Sequence, residues 1–460
     1  MKTLGLVITD GVGFRNYILS DFLSEAQSHF DKIVIFSGLP KSSFDGFQTP
    51  NSYIEELEDF REKPTVWFFR KLKEVAHLQN HKKNNFGIQS NLKIHYPRTF
   101  SKRAIFTRLI FLWTYFFHSE TWISLYYKLQ RQSFKKNKTT HSYIDLLEIH
   151  KPDALFFTHQ RPPYIAPLIL AANVLKIKTI TFIFSWDNLA SKGRMSGDFD
   201  NYFVWSDLMK KELLEFYSRV KESQIQVVGT PQFESYVLEK YEVNKDAFYD
   251  KFNLDKSKRI ICYSCADSSI GKNDEVHVRA VLSYINSQKE LQLLVRTSPA
   301  EDGKRFKNLM SEFPDVRWNM PKWIQTRKAH SEMWSQRLPT EEDVIDLKSV
   351  LSFSDVNINM LSTMSLDFMI FGKPVINVAF GNLENGLYND QKFLKYRHYK
   401  YVIDSSAVAI AKNELELHKY LKEALEHPEK RKENRQKILD FEIGKPILGT
   451  SKRIIEALKK

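Results

Sequence analysis

The sequence predicts an α/β protein of two domains, each built on a parallel β-sheet. The 460 residues give a prior of two or three domains at ~150 residues each. Short apolar runs alternate with helical segments, as from "LGLVIT" at 4–9 through a helix expected over about 14–30 to "KIVIFSG", which indicates βαβ units. The alternation restarts near residue 235 with "RIICYSC". We therefore assign residues 1–230 and 235–435 to the two domains and 436–460 to a tail helix.

The charge balance points to an anionic partner. There are 68 Lys and Arg against 55 Asp and Glu, a net charge of +13. Residues 61–138 hold 17 basic and three acidic residues, so this basic aromatic insertion in the first domain carries the whole excess. With "LIFLWTYFF" at 109–117, it is typical of a segment that lies on an anionic membrane surface. The alternative is a core-facing helix with a solvated basic rim. No nucleic acid is expected, since RNA binding favours aromatics spread over an open sheet.

Three other classes of protein do not fit. The apolar run 109–117 is too short for a membrane span of ~20 residues. Cys262 and Cys265 are too few for a disulfide scaffold, and on a strand their Cα atoms would lie ~10 Å apart, beyond disulfide reach. The first apolar run stops at Asp10, as a buried strand does and a signal peptide does not, which predicts a cytoplasmic protein.

Polar residues follow the strands of the first domain, where parallel sheets bind ligands. In "TDGVGFRN" (9–16), Gly11 and Gly13 predict either a loop that approaches a ligand or a tight structural turn. The pattern is an incomplete dinucleotide fingerprint, because its third Gly is absent. In "FFTHQRPP" (156–163), His159 is a candidate general base or a helix cap.

A second loop of this domain has an unusual density of mixed chemistry. "IFSWDNLASKGRM" (183–195) follows a strand and contains an aromatic, a carboxylate and two cations. Lys192 and Arg194 are candidates to bind phosphate, and Asp187 to orient a sugar or a base.

The second domain predicts an anion site. Arg296 in "VRTSP" ends a strand and is expected to face the cleft. In "NMLSTMSLDFMIFGKPVIN" (359–377), Ser362 and Thr363 stand at a helix start, where N–H groups and hydroxyls bind anions. Asp367 lies one turn further and can accept hydrogen bonds from sugar hydroxyls. The alternative for Ser362 is a simple N-cap.

Taken together, these segments resemble GT-B-type glycosyltransferases, in particular bacterial surface-carbohydrate enzymes and proteins similar to CDP-glycerol glycerophosphotransferases. The resemblance rests on "STMSLDFMIFGKPVI", "SWDNLASKGRM" and "VVGTPQFESY", and it covers the chain outside 61–138. It implies two Rossmann-like domains that face each other across a cleft, with Ser362, Thr363 and Asp367 at the donor's diphosphate and sugar. The chain departs at Ser298, where related sequences often have a His.

The resemblance implies a metal-independent transfer from a nucleotide-sugar, UDP-linked, held by the second domain, with no other cofactor. No D-x-D pair stands at a strand end to hold a metal. The acceptor, a glycan or a lipid-linked sugar in surface polysaccharide biosynthesis, would lie against the first domain at the inner face of the cell membrane. His159 is the first choice for the base, followed by Asp10 and Asp187; Arg296, Ser362 and Thr363 would stabilise the leaving group.

One alternative on the same fold is transfer of a polyol phosphate from a CDP donor. From a different class, the chain could be a noncatalytic, membrane-associated scaffold with a degenerate site, which the Ser298 departure allows. A nonhydrolysing sugar epimerase also shares the architecture, but the basic aromatic insertion has no role in a reaction of a small soluble sugar.

Overall fold

The computed structural model describes residues 2–381 and 390–460. The residues group by their contacts into two compact units. Unit 1 contains the residues up to Glu234 together with Gln325–Leu338 and Glu442–Lys460, and unit 2 contains Ser235–Ile324 and Pro339–Phe441.

Unit 1 is built on a seven-stranded parallel sheet in the order β3-β2-β1-β4-β5-β6-β7. Every residue of β1 is buried, as expected for a strand covered by helices on both faces. Gly5 allows close packing there, because a Cβ would lie 2.3 Å from the Leu155 side chain. The strands are β1 (Thr3–Ile8), β2 (Lys32–Ser37), β3 (Ser52–Glu56), β4 (Ala154–Phe157), β5 (Lys178–Phe182), β6 (Asn201–Val204) and β7 (Ile225–Val227).

The basic aromatic insertion of unit 1 is helical. Three of its helices, α3, α5 and α6, pack around a small core of their own that includes Val75, Ile110 and Ile123. The helices of the unit are α1 (Gly11–Tyr17), α2 (Phe22–Gln27), α3 (Pro64–His81), α4 (Phe86–His95), α5 (Lys102–Phe116), α6 (Glu120–Phe134), α7 (Lys138–His150), α8 (Ala166–Val174), α9 (Asn188–Ser191), α10 (Asp207–Phe216) and, near the end of the chain, α19 (Thr450–Leu458). Among the described residues, no helix combines the length and apolarity needed to cross a bilayer.

The first helix differs from the sequence-based expectation of one helix over about 14–30. It begins earlier, because the Asp10 carboxylate caps it by accepting from the Gly13 N–H. It also breaks after Tyr17, and the chain restarts as α2 where the Ser20 hydroxyl accepts from the Phe22 N–H. Gly11 and Gly13 therefore lie inside the first turn of α1, not in a loop before it.

Unit 2 repeats the design with a six-stranded parallel sheet in the order β10-β9-β8-β13-β14-β15. In both sheets the order reverses after the first strand, which is the Rossmann arrangement. The strands are β8 (Arg259–Ser264), β9 (Leu291–Arg296), β10 (Arg317–Asn319), β13 (Val356–Asn359), β14 (Val375–Val378) and β15 (Ala409–Ala411), and the short strands β11 (Trp323–Gln325) and β12 (Arg337–Pro339) pair with each other. The helices are α11 (Lys245–Lys251), α12 (Asp274–Ile285), α13 (Lys307–Glu312), α14 (Glu341–Phe353), α15 (Met364–Ile370), α16 (Arg397–Asp404), α17 (Glu414–Glu426) and α18 (Lys432–Ile443), the last of which runs on into the residues of unit 1.

The two units depart from the expected domains at two places. Residues 325–338 fold with unit 1 although the chain enters and leaves them from unit 2. Residues 442–460 also belong to unit 1, where the Ser451 N–H donates to Glu234 (2.8 Å) and α19 packs on α2. Cys262 and Cys265 are free and buried, as the strand argument predicted.

Candidate functional site

Asp10 and His159 form a buried pair at the carboxyl ends of the two central strands of unit 1. Asp10 follows β1 and His159 follows β4, and these strands are neighbours at the point where the strand order reverses. The His159 Nδ1 lies 3.0 Å from the Asp10 Oδ2. The sequence named these two residues as alternatives for one role, and the structure brings them together. Ligands of Rossmann-type sheets bind at this switch point.

The surroundings of the pair fix the protonation of His159. Burial lowers the pKa of His159, and the hydrogen bond and charge of Asp10 offset this only in part. Burial would raise the pKa of Asp10, but His159, the Gly13 N–H and the Thr9 hydroxyl outweigh it and hold that pKa below its usual value. The pair is thus a carboxylate and a neutral imidazole that donates its Nδ1–H. The Nε2 of His159 has no hydrogen-bond partner among the described residues and is free to accept a proton.

Two aromatic rings hold the imidazole of His159 in place. Phe184 stacks on it with ring centroids 3.9 Å apart, and Trp334 meets it edge-on at 6.1 Å. Gln160 accepts from the Phe184 N–H (3.2 Å) and donates to the Asn188 side chain (2.9 Å), so it orders the "SWDNLASKGRM" loop beside the pair. A base needs this kind of fixed orientation.

The three candidates in that loop have different surroundings. Asp187 precedes α9 and pairs with Lys192, whose ammonium lies 3.2 Å from its Oδ2. Arg194 is buried, donates to Glu120 (2.9 Å) and lies over the Tyr217 ring at 4.3 Å. The guanidinium of Arg194 is therefore committed to packing within unit 1, and of the two cations Lys192 is the more exposed.

Two further features lie near His159 that the sequence did not indicate as site residues. The guanidinium of Arg161 has no ion-pair partner within the described ranges, and its buried Nε makes no hydrogen bond. Residues 325–338 supply Trp334, and the Gln336 side chain of the same segment donates to the Gly38 carbonyl (3.0 Å) after β2. Arg161 could have been predicted from the "HQR" triplet at 159–161, where it follows the candidate base His159. Nothing local in the sequence predicts that 325–338 packs against a strand end almost 300 residues away.

Close packing in this region explains why residue 13 is a glycine. A Cβ at Gly13 would lie 3.0 Å from the Thr158 hydroxyl at the end of β4. Together with the Asp10 cap, this close packing accounts for the "TDGVG" pattern without a bound phosphate. Gly11, buried as the first residue of α1, belongs to the same turn.

In unit 2, Ser362 and Thr363 follow β13, next to the reversal point of that sheet. The Asn359 side chain accepts from the Ser362 N–H (2.9 Å), and the Ser362 hydroxyl accepts from the Met364 N–H (3.0 Å). Leu361, just before them, has a φ of +47°, a strained conformation that clusters at functional sites. The Thr363 hydroxyl has no hydrogen-bond partner in the part of the chain that the structure describes.

A buried hydrogen-bond network supports this turn. The Asn377 amide donates to Asn359 (3.0 Å), and the Tyr399 hydroxyl donates to Asn377 (2.7 Å) and bonds to Ser365 (2.7 Å). These polar groups are fully buried behind Ser362 and Thr363. Such a network fixes one arrangement of the turn, because an unmade bond in the interior is costly.

Asp367 is buried one turn further along α15. Its carboxylate accepts a hydrogen bond from the Tyr236 hydroxyl, so two segments of the glycosyltransferase resemblance, "VVGTPQFESY" and "STMSLDFMIFG", meet here. This contact gives Asp367 a structural task in addition to the expected contact with a sugar.

Arg296 does not have the expected free guanidinium. It is buried, bonds to the Asn319 side chain and pairs with both oxygens of Asp343 at 3.1 and 3.2 Å. The Trp323 indole N–H also donates to Asp343 (2.8 Å). Arg296 thus ties β9 to β10 and α14. Its charge is paired with a carboxylate 47 residues away, and its role at a ligand stays a prediction.

One group of side chains has the residue types of a metal site. His77 and His81 on α3 and Glu120 on α6 bring three ligand atoms within 4.8 Å of one another. The neighbours do not favour a cation, because Arg194 donates to Glu120 (2.9 Å). We assign no metal to this group.

Helix α5 has an exposed apolar face, which we call the α5 face. Its members recur at helical spacing, and all are about half exposed or more, with Leu112 at 62% and Phe116 at 67%. Soluble monomers rarely expose so large a continuous patch, which typically marks a binding surface. The α5 face consists of Ile105, Phe106, Leu109, Leu112, Trp113 and Phe116.

Comparison with known proteins establishes the fold. No protein-family model and no curated protein matches the chain. Among solved structures, the chain is similar over its full length to UDP-GlcNAc 2-epimerase from Neisseria meningitidis bound to UDP-GlcNAc (14% identity, 100% of that chain, TM-score 0.54) and to UDP-GlcNAc 2-epimerase from Methanocaldococcus jannaschii (11%, 99%, 0.51). It is also similar to a glycosyltransferase from Rickettsia africae (12%, 98% of that chain, 0.51). The chain therefore has the GT-B type of fold, as its resemblance implied.

Proposed function

We propose that this chain is a glycosyltransferase that moves a sugar from a UDP-linked nucleotide-sugar to a glycan or lipid-linked acceptor in surface polysaccharide biosynthesis. The Asp10–His159 pair carries the proposal, because it offers an oriented, neutral base at the switch point of unit 1. Two further observations support it: the fold is shared with a UDP-GlcNAc 2-epimerase and with a glycosyltransferase, and the turn at Ser362 and Thr363 has the groups that bind a diphosphate.

In the proposed reaction, the Nε2 of His159 accepts the proton of an acceptor hydroxyl. That oxygen attacks the anomeric carbon, and the bond from this carbon to the diphosphate oxygen breaks. The nucleoside diphosphate leaves with the bonding electron pair. Asp10 keeps the imidazole in the tautomer with a proton on Nδ1 and stabilises the imidazolium that forms. No metal is required for this step.

We expect Thr363→Val to weaken the binding of UDP by ~1–3 kcal/mol, because a valine cannot supply the hydroxyl for a charge-assisted hydrogen bond. Titration calorimetry with UDP checks this. The matched control is Thr121→Val, which removes an exposed hydroxyl on α6. If the Thr363→Val variant binds UDP with wild-type affinity, the start of α15 is a structural turn and does not bind the diphosphate.

Epimerisation of a nucleotide-sugar is a second candidate function, because two of the similar structures are UDP-GlcNAc 2-epimerases. The two reactions give different products. A transferase releases UDP in proportion to the sugar transferred, whereas an epimerase interconverts two intact nucleotide-sugars. Incubation with UDP-GlcNAc and a bacterial lipid extract, followed by separation of nucleotides, distinguishes them. The insertion with its α5 face favours the transferase, since a soluble sugar has no use for such a surface.

We also propose that the α5 face lies on the anionic inner surface of the cell membrane. The charge of the insertion supports this choice of partner, since it holds 17 basic and three acidic residues and also carries exposed aromatic and aliphatic side chains. Each basic residue near an anionic surface contributes ~1 kcal/mol. The apolar side chains add burial in the interfacial region.

Vesicle flotation tests the membrane proposal. We expect the protein to float with phosphatidylglycerol vesicles and to dissociate as salt is raised. We expect Leu112→Glu/Phe116→Glu to reduce the bound fraction strongly, because both carboxylates would enter the apolar layer. The matched control is Leu415→Glu/Leu448→Glu, which changes two equally exposed leucines elsewhere (82% and 66%). Equal, salt-insensitive binding to neutral and anionic vesicles would contradict the proposal.

A further inference from the structure

A pocket of about 650 Å³ opens in unit 1 at the end of the α5 face. Phe106 belongs to both, since it lines the pocket and is 54% exposed on the face. The pocket lies between the start of α5, the start of α3, the Pro163–Tyr164 turn and residues 331–332. Its position makes it continuous with an apolar surface outside it.

The inner wall of the pocket combines aromatic rings with neutralised charges. Trp67 and Tyr164 contribute rings. The Arg70 guanidinium is bidentate to Glu62 (2.6 and 2.7 Å) and also donates to Glu74 (2.6 Å), so its charge is paired within the wall. Burial raises the pKa of Glu332, and its carboxylate accepts a hydrogen bond from the Trp334 indole N–H (2.8 Å). Rings beside hydrogen-bonding groups suit a polar organic head group.

The mouth of the pocket is positively charged. Lys102 and Arg103 are exposed at the first turn of α5, and neither has a carboxylate partner among residues 2–381 and 390–460. The Arg103 guanidinium lies 4.7 Å over the Trp67 ring, which holds it at the pocket. Helical spacing places Lys102 and Arg103 one turn before Phe106, where the α5 face begins. Along the surface, the polar pocket is therefore followed by the two cations and then by the α5 face.

We propose that this pocket binds a phosphorylated amphiphile, with its polar head in the pocket, its phosphate on Lys102 and Arg103, and its hydrocarbon chain along the α5 face. Two unpaired cations match a phosphate or diphosphate, and the apolar face matches a lipid chain. The inference rests on the proposed function, in which such a molecule is the acceptor. It assigns the acceptor class to a lipid phosphate and places the acceptor's recognition on the insertion.

Binding of small probes tests the assignment without any nucleotide. The probes are octyl phosphate below its micellar concentration, methyl phosphate, which has the same head without a chain, and octyl glucoside, which has the same chain without a charge. The variants are Lys102→Ala/Arg103→Ala and the control Lys135→Ala/Lys136→Ala, which removes two exposed lysines elsewhere in the insertion. Titration calorimetry gives the affinities, and thermal unfolding checks that each variant is folded.

We expect octyl phosphate to bind saturably and at least ~10-fold more tightly than either other probe. It is the probe that can contact the two cations and the α5 face at the same time. The Lys102/Arg103 variant should lose at least ~10-fold in affinity for it, and the control should not. Equal affinity for methyl phosphate would indicate a site for free phosphate esters and overturn the proposal, as would equal binding by the two variants. These outcomes are independent of UDP binding, so a failure here is distinct from a failure of the transferase proposal.

Discussion

Replacing His159 with alanine is expected to slow turnover by ~10²–10⁴, the usual effect of losing a general base. Affinity for UDP should not change, because the donor residues proposed above belong to unit 2. The measurement is UDP release from a UDP-sugar with a lipid extract as acceptor source, with UDP affinity from calorimetry. His427→Ala, a change to an exposed histidine, is the control. If the His159→Ala variant turns over at the wild-type rate, His159 is not the base, and Asp10 or Asp187 is the next candidate.

The pH dependence separates the roles of Asp10 and His159. A base must be unprotonated at Nε2, and burial lowers the pKa of His159 from its ordinary value. The acid limb of kcat/KM is therefore expected below pH ~6.5. Asp10→Asn removes the negative charge that opposes this lowering, so the limb should move to still lower pH while the rate falls through lost orientation. If Asp10 were itself the base, the Asp10→Asn variant would lose the acid limb of its kcat/KM profile.

Replacing Arg296 with methionine is expected to destabilise unit 2 by ~3–5 kcal/mol, because the carboxylate of Asp343 would remain buried without its charged partner. Chemical denaturation monitored by circular dichroism measures this. The control is Lys304→Met, which breaks an exposed pair with Asp302 and should change stability far less. If Arg296→Met weakened UDP binding without loss of stability, Arg296 would be a ligand after all.

The sequence predicted the parallel sheets well, because buried strands and the helices between them are local patterns. It also selected Asp10 and His159, since both directly follow strands. It could not predict that they form one pair, because this depends on β1 and β4 being neighbours across 149 residues. It could not predict the ion pair of Arg296 for the same reason, because its partner Asp343 lies on a helix far along the chain. The first helix was misplaced by competing side-chain caps at Asp10 and Ser20.

The discontinuity of unit 1 has a consequence for biosynthesis. Its Glu234 bonds to Ser451, and its Gly38 carbonyl accepts from Gln336, so its last contacts form only after residues 442–460 have been synthesised. Domains of a growing chain usually fold from the N-terminus onward. Here the sheet of unit 2 ends at Ala411 and is complete before α19 is made. The second Rossmann sheet can therefore assemble before the domain that carries His159 has gained its last contacts.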